Sequence, residues 1–171
     1  MASQKPVIAV IGATGAQGSG LVRAILQDPE RRFTARAITR NPGSEKARAL
    51  AAQGAEVVGA DADDPATLER AFAGAAGAFC VTNFWEHFSP DREVAQARAM
   101  ARAATRADVR HVIWSTLEDT RAFVPVSDPR MPTLMDRYKV PHFDGKGEAN
   151  AVFAEAKAPT TLLHTSFYWD N

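Results

Sequence analysis

Apolar residues fall in short, nearly unbroken runs separated by longer stretches of helical periodicity. The runs are VIAVIG at 7–12, TARAITR at 34–40, AEVVGAD at 55–61, GAFCVTN at 77–83, HVIWSTL at 111–117 and TTLLHTSF at 160–167. Their length and their flanking turn residues predict six strands. After the first run, Leu21, Val22, Ile25 and Leu26 recur at helical spacing, and the Ala-rich stretch from Pro90 to about Ala107 favours helix throughout. Punctuation agrees with this reading. Asp64-Pro65 and Ser89-Pro90 each offer a capping side chain followed by proline at the first helical position, Ser44 offers another cap, and Gly54 and Gly74 stand where helices should stop.

Strand and helix therefore alternate, and runs too uniformly apolar for a half-exposed sheet imply parallel strands covered on both faces. The predicted fold class is α/β, a doubly wound parallel sheet of about six strands in the order 3-2-1-4-5-6. Residues 1–171 are expected to form one domain, because this length suits one substantial core and not two. Residues 120–140, which carry Pro125, Pro129 and Pro132, break the rhythm and are expected to form a long loop near a ligand.

Charge narrows the functional classes. Twenty Lys and Arg balance twenty Asp and Glu, so no basic field draws the chain onto nucleic acid or an anionic membrane, and direct nucleic-acid binding is not expected. No apolar run approaches the roughly 20 residues that span a bilayer, and Met1 to Pro6 lacks a signal architecture, so a soluble cytoplasmic protein is expected. Cys80 lies inside an apolar run and reads as a buried, inert thiol. His87, His111, His142 and His164 are widely separated and there is no cysteine cluster, so no metal site is expected. The sequence also lacks a G-x-x-x-x-G-K-[ST] phosphate loop.

The first strand runs into Gly12-Ala13-Thr14-Gly15-Ala16-Gln17-Gly18 and then directly into a helix. Glycines suit such a turn because it is tight, because the backbone must approach a pyrophosphate without an intervening Cβ, and because helix must pack closely on strand. The helix N-terminus then faces the phosphate charge. This is the turn of a Rossmann-type dinucleotide fold. An NAD site usually ends its second strand in a carboxylate that binds the ribose 2′-hydroxyl, whereas this strand ends Ile38-Thr39-Arg40-Asn41. A guanidinium at Arg40 can hold the 2′-phosphate of NADP by charge-assisted, two-point hydrogen bonds, so NADP(H) is expected over NAD(H). Asp61 and Ala62, after the third strand, fall where adenine would lie, and Asp64 reads as a helix cap. Phe84, Trp85 and Phe88 cluster after the fourth strand, where stacking on a ring and ordinary packing both account for them.

The G-x-x-G-x-x-G spacing resembles the short-chain dehydrogenase superfamily, especially its extended and atypical members. Together with Thr39-Arg40-Asn41-Pro42, Thr82-Asn83-Phe84-Trp85-Glu86 and His142-Phe143-Asp144-Gly145-Lys146-Gly147-Glu148, it makes the chain similar to the NmrA-like family, in particular its HSCARG-type NADP(H)-sensor branch. The resemblance implies NADP(H) with the glycine turn on the pyrophosphate and Arg40 on the 2′-phosphate. It also implies Thr82, Asn83 and Phe84 lining the cofactor, Lys146 on the nicotinamide ribose, and Tyr168, Trp169, Asp170 and Asn171 against the nicotinamide end. Family members carry a further C-terminal part that closes the substrate pocket, and the sequence ends before most of it. Apolar surface near residues 167–169 is then expected to favour self-association or a missing partner.

The same resemblance bears on catalysis. Short-chain dehydrogenases use Tyr-x-x-x-Lys, and this chain has His142-x-x-x-Lys146. A reductase would have to use His142 and Lys146, with Ser115 orienting a carbonyl. The leading expectation is an NADP(H) sensor or regulator with little or no dehydrogenase activity, acting through a protein partner or a homo-oligomer. The alternatives are an NADPH-dependent reductase of quinone-like acceptors and a degenerate interaction module.

Overall fold

The alternation predicted from the pattern of apolar runs is realised in the computed structural model, which describes residues 5–165. The elements are β1 (Val7–Val10), α1 (Ala16–Gln27), β2 (Thr34–Thr39), α2 (Glu45–Ala52), β3 (Glu56–Gly59), α3 (Pro65–Phe72), β4 (Ala75–Cys80), α4 (Pro90–Arg106), β5 (His111–Thr116), α5 (Pro141–Glu155) and β6 (Thr160–His164). All neighbouring strands are parallel, in the order β3-β2-β1-β4-β5-β6. The expected fold class and strand order are both present.

Successive strand residues face opposite sides of a sheet, and the core divides accordingly. Ala9, Ile38, Ala78, Cys80 and Trp114 pack with Leu68, Phe72, Met100 and Phe153 of α3, α4 and α5. Their chain neighbours Val10, Ala37 and Phe79 pack with Val22 of α1 and Leu50 of α2. Trp114 is fully buried, stacks on Phe153 with centroids 4.7 Å apart, and donates its indole N–H to Asn150 at 3.1 Å. A large ring on β5 is thus tied to α5 by both apolar and polar contact. Burial pushes the Cys80 thiol well above its ordinary value, which accords with the expected inert thiol.

Helix starts follow the sequence signals. Ser44, Asp64 and Ser89 accept from the amides of Ala47, Ala66 and Arg92, each at 3.2 Å, satisfying N–H groups that a helix leaves over. Several strands are shorter at their C-terminal ends than the apolar runs. Residues 11–12 and 81–83 continue those runs but lie outside the regular strands, 11–12 in a turn, although the Ile11 amide still donates to Phe79 O at 2.9 Å. Strand β4 begins earlier than the predicted 77, at Ala75, directly after Gly74 at φ +70°.

Residues 120–140 have little regular structure beyond a short 3₁₀ turn, Thr120–Ala122, yet they are firmly held. The fully buried Asp144 carboxylate accepts from the Thr120 amide and hydroxyl at 2.8 and 2.5 Å, and from the Lys139 and Val140 amides at 2.7 and 3.0 Å. Buried Lys139 in turn donates to the carbonyls of Asp128 and Met131. Among the described residues, no helix is long and apolar enough to cross a membrane.

The tightest constraint lies between β1 and α1. Gly12 sits at φ +65°, a left-handed conformation that side chains disfavour. Gly18 crosses so close that a Cβ there would stand 2.3 Å from the Gly12 carbonyl oxygen. Gly18→Ala is therefore expected to lower unfolding stability by about 1–3 kcal/mol through overpacking, read from the midpoint of urea denaturation. An unchanged midpoint would mean that the turn yields without cost.

Candidate functional site

Chains that leave the carboxyl ends of β1 and β4 towards opposite faces of the sheet open a crevice between them, the place where doubly wound folds hold ligands. Here it is a cleft of about 600 Å³. Its floor is the glycine turn, in which the Gly15 amide donates to the Gly12 carbonyl at 2.8 Å. No side chain caps α1 at Gly15, so the positive end of the helix faces the cleft.

Most of the residues singled out in the sequence converge here. Gly12, Thr14, Gly15, Ala16, Gln17, Gly18, Arg40, Asp61, Ala62, Thr82, Asn83, Phe84, His142 and Lys146 all line the cleft. Ala13 does not, being fully buried beneath the turn with its amide donating to Ile38 O at 3.2 Å. Ser115 meets Lys146 only through its backbone carbonyl, 3.4 Å from the ammonium. Its hydroxyl is buried just behind the cleft wall, donating to Gln17 Oε1 at 2.6 Å and meeting Thr165 Oγ1 at 3.2 Å, two residues that line the cleft as Ser115 itself does not. Residues 120–140 contribute nothing to the cleft wall, contrary to the expectation of a loop near the ligand. Tyr168, Trp169, Asp170 and Asn171 lie outside the described residues.

Lys146 is the best-anchored side chain of the site. From α5 its ammonium donates to Thr82 Oγ1 at 2.8 Å, pairs with Glu93 of α4 at 3.2 Å, and lies 4.8 Å from the centroid of the Trp114 ring. Burial pulls the Lys146 ammonium below its ordinary value, and the Glu93 carboxylate opposes that pull. Glu93 is fully buried and also receives the Thr82 hydroxyl. Its second oxygen stands 3.5 Å from His87 Nε2, and neither atom has another hydrogen-bond partner among the described residues. The Ser89 amide donates to His87 Nδ1, which leaves Nε2 carrying the proton of the neutral ring and pointing at Glu93.

His142, one turn before Lys146, packs in an aromatic cluster, 4.8 Å from Trp85 and 5.8 Å from Phe84 between ring centroids. Burial holds its imidazole below the ordinary 6.5, with Lys146 adding to the effect and Glu93 and Asp144 opposing it. No phenol takes part in the cleft among the described residues. Tyr138 is buried against the Arg121 and Arg137 guanidiniums and raised by burial.

Two acidic residues of the site escaped the sequence reading. Glu93 shares a helix face with Ala97, Met100 and Ala104, all buried, and a carboxylate on a core-facing stripe signals a buried partner cation. Glu86 ends the Thr82-Asn83-Phe84-Trp85-Glu86 segment and forms a two-point ion pair with Arg40, both contacts 2.7 Å. Only the folded sheet brings it there, because Arg40 and Glu86 follow strands on opposite sides of β1.

Strand order, glycine turn and switch-point cleft together define a Rossmann-type α/β protein. The chain belongs to the NmrA-like family, whose model matches residues 4–171. It is 40% identical over 114 residues to the NmrA-like family domain-containing oxidoreductase FrzB of a Cladobotryum species, covering 64% of this chain and 33% of that protein. Its fold matches NmrA, a negative transcriptional regulator solved with NADP, with a TM-score of 0.77 at 24% identity, over 95% of this chain and 45% of the other. The same regulator has also been solved with NAD. An NADPH-dependent quinone oxidoreductase of Escherichia coli, solved with NADPH, matches at a TM-score of 0.70 and 26% identity, over 96% of this chain and 50% of the other. The chain thus spans between a third and a half of the length of these proteins.

Two outcomes follow from the buried charges. Glu93→Gln strips the Lys146 ammonium of its counter-charge and is expected to cost about 3–5 kcal/mol of stability in urea denaturation. An unchanged midpoint would mean that Lys146 is neutral when folded. In an NMR pH titration the His142 ring should move with a midpoint below 6.5. The unfolded chain then takes up this proton first, so the contribution of His142 to stability is present above pH 6.5 and lost as pH falls through its lowered value. A midpoint at or above 6.5 would contradict the burial argument.

Proposed function

We propose that the cleft binds NADP(H) and that the chain responds to the dinucleotide as a sensor or regulator, with little or no dehydrogenase activity of its own. In this reading Gly12, Ala13, Thr14, Gly15, Ala16, Gln17 and Gly18 form the pyrophosphate turn, and Arg40 takes the 2′-phosphate. Asp61 and Ala62 lie beside adenine, Thr82, Asn83 and Phe84 follow the cofactor across the sheet, and Lys146 holds the nicotinamide ribose. When bound, the dinucleotide would supply hydride chemistry at its nicotinamide.

The observation that carries the reading is the group found one helical turn before Lys146. Carbonyl reduction needs an acid there to deliver a proton as hydride arrives. The residue is His142, clustered with Trp85 and Phe84 and shifted towards its neutral form by burial. A neutral imidazole at pH 7 is a poor proton donor, whereas binding asks nothing of it.

A sensor needs a receiver, either a partner protein or a second copy of the chain. Leu162 and Leu163 on the edge strand β6, and Trp85 and Phe88 beside the cleft, are exposed apolar groups that suit such contact. A second reading, reduction of quinone-like acceptors, draws support from the Escherichia coli neighbour, since a planar acceptor needs little acid help.

Titrating the protein with NADPH and NADH by calorimetry, for wild type and Arg40→Glu, tests the site. Arg40→Glu is expected to weaken NADPH by at least about tenfold, in line with the loss of a charge-assisted pair and its replacement by repulsion, and to spare NADH. NADPH oxidation is then followed with quinones present. Absence of turnover supports the sensor, steady turnover establishes the reductase, and failure of both nucleotides to bind would leave an interaction module.

A further inference from the structure

Arg40, the residue best suited to a 2′-phosphate, is already engaged. Its Nη2 donates to Glu86 Oε1 and its Nη1 meets Oε2, each at 2.7 Å, so the carboxylate sits on the guanidinium fork in two-point fashion. Asn83 Nδ2 steadies the same carboxylate, also donating to Oε1, at 3.0 Å. Arg40 follows β2 and Glu86 follows β4, the two strands that flank β1. The ion pair therefore bridges the cleft above the glycine turn, and both partners line it.

A phosphate monoester and a carboxylate compete for the same forked donors, and a guanidinium cannot offer one face to both. A 2′-phosphate that takes the Nη1–Nη2 fork displaces Glu86, and one that takes the remaining edge of the guanidinium still sets up to about two negative charges close to the Glu86 carboxylate. An NAD ribose meets no such obstacle. Its 2′-hydroxyl can donate to a carboxylate, the contact that NAD sites ordinarily use, while Arg40 and Glu86 stay paired.

We propose that Glu86 is a specificity-determining residue that competes with the 2′-phosphate for Arg40 and so limits the preference for NADP(H) over NAD(H). This rests on the proposed NADP(H) site. It assigns the two halves of dinucleotide discrimination, a cation for NADP and a carboxylate for NAD, to one ion pair. Exposed ion pairs are individually weak, so the competition tunes the ratio of affinities and does not abolish either ligand.

The test compares wild type, Glu86→Gln and Arg40→Glu of the full chain by calorimetric titration with NADPH and with NADH, with thermal melting as a check on folding. Glu86→Gln keeps the size and hydrogen-bonding reach of the side chain but removes its charge. NADPH is expected to bind it roughly three- to tenfold tighter, the scale set by losing one weak ion pair and one repulsion, while NADH, whose 2′-hydroxyl loses a charged acceptor, is unchanged or slightly weakened. The ratio of the two dissociation constants is the readout, because general damage to the cleft would weaken both ligands together. The proposal is overturned if Arg40→Glu loses NADPH while Glu86→Gln leaves the ratio at its wild-type value, or if Glu86→Gln weakens NADPH. Wild type binding neither nucleotide would instead bring down the NADP(H) site and this proposal with it, so the two failures are told apart.

Discussion

Lys146 carries an ammonium into the interior, and a buried charge is tolerable only where it is paired and fully hydrogen-bonded. Meeting that demand joins four elements. The ammonium comes from α5, its carboxylate from Glu93 on α4, its hydroxyl partner from Thr82 beyond β4, and a backbone carbonyl from Ser115 on β5, 3.4 Å away. The packing of α4 on α5 and the spacing of β4 and β5 are therefore set by polar geometry as well as by the apolar core around Trp114 and Phe153. One wall of the cleft is fixed by this charge and the other by the meeting of Gly12 and Gly18.

The fold was largely legible in the sequence because its signals are local. Runs of apolar residues, caps such as Ser44, Asp64 and Ser89, and the spacing of the first glycines each report on a few neighbouring residues, and the parallel order follows from their alternation. Strand ends were less legible, since Ile11 and Val81 are as apolar as the strand residues before them and only the turn decides where pairing stops. Most of the cleft could also be read, because it is built at the ends of recognisable elements.

What escaped was long-range. Glu86 meets Arg40 only after two crossovers place them astride β1, and no spacing rule links positions 40 and 86. The burial of Ser115 behind Gln17 and Thr165 likewise depends on how α1 packs over β5. Glu93 had a local signal, a carboxylate on the buried stripe of α4, but its partner lies some fifty residues later. Residues 120–140 lack apolar periodicity, and their two ends are tied by hydrogen bonds to a single carboxylate that sequence pattern does not reveal.

That carboxylate has a consequence for how the chain can change. Asp144 gathers Thr120 at one end of the irregular segment and Lys139 and Val140 at the other, so the segment leaves and re-enters the body at nearly the same point. A loop whose ends are clamped together transmits little of its own length or shape to the scaffold, and lengthening it costs only a slowly growing closure entropy. With no residue of the loop in the cleft wall, its exposed stretch is where the architecture can accept an insertion or a grafted peptide with least disturbance to the Lys146 cluster.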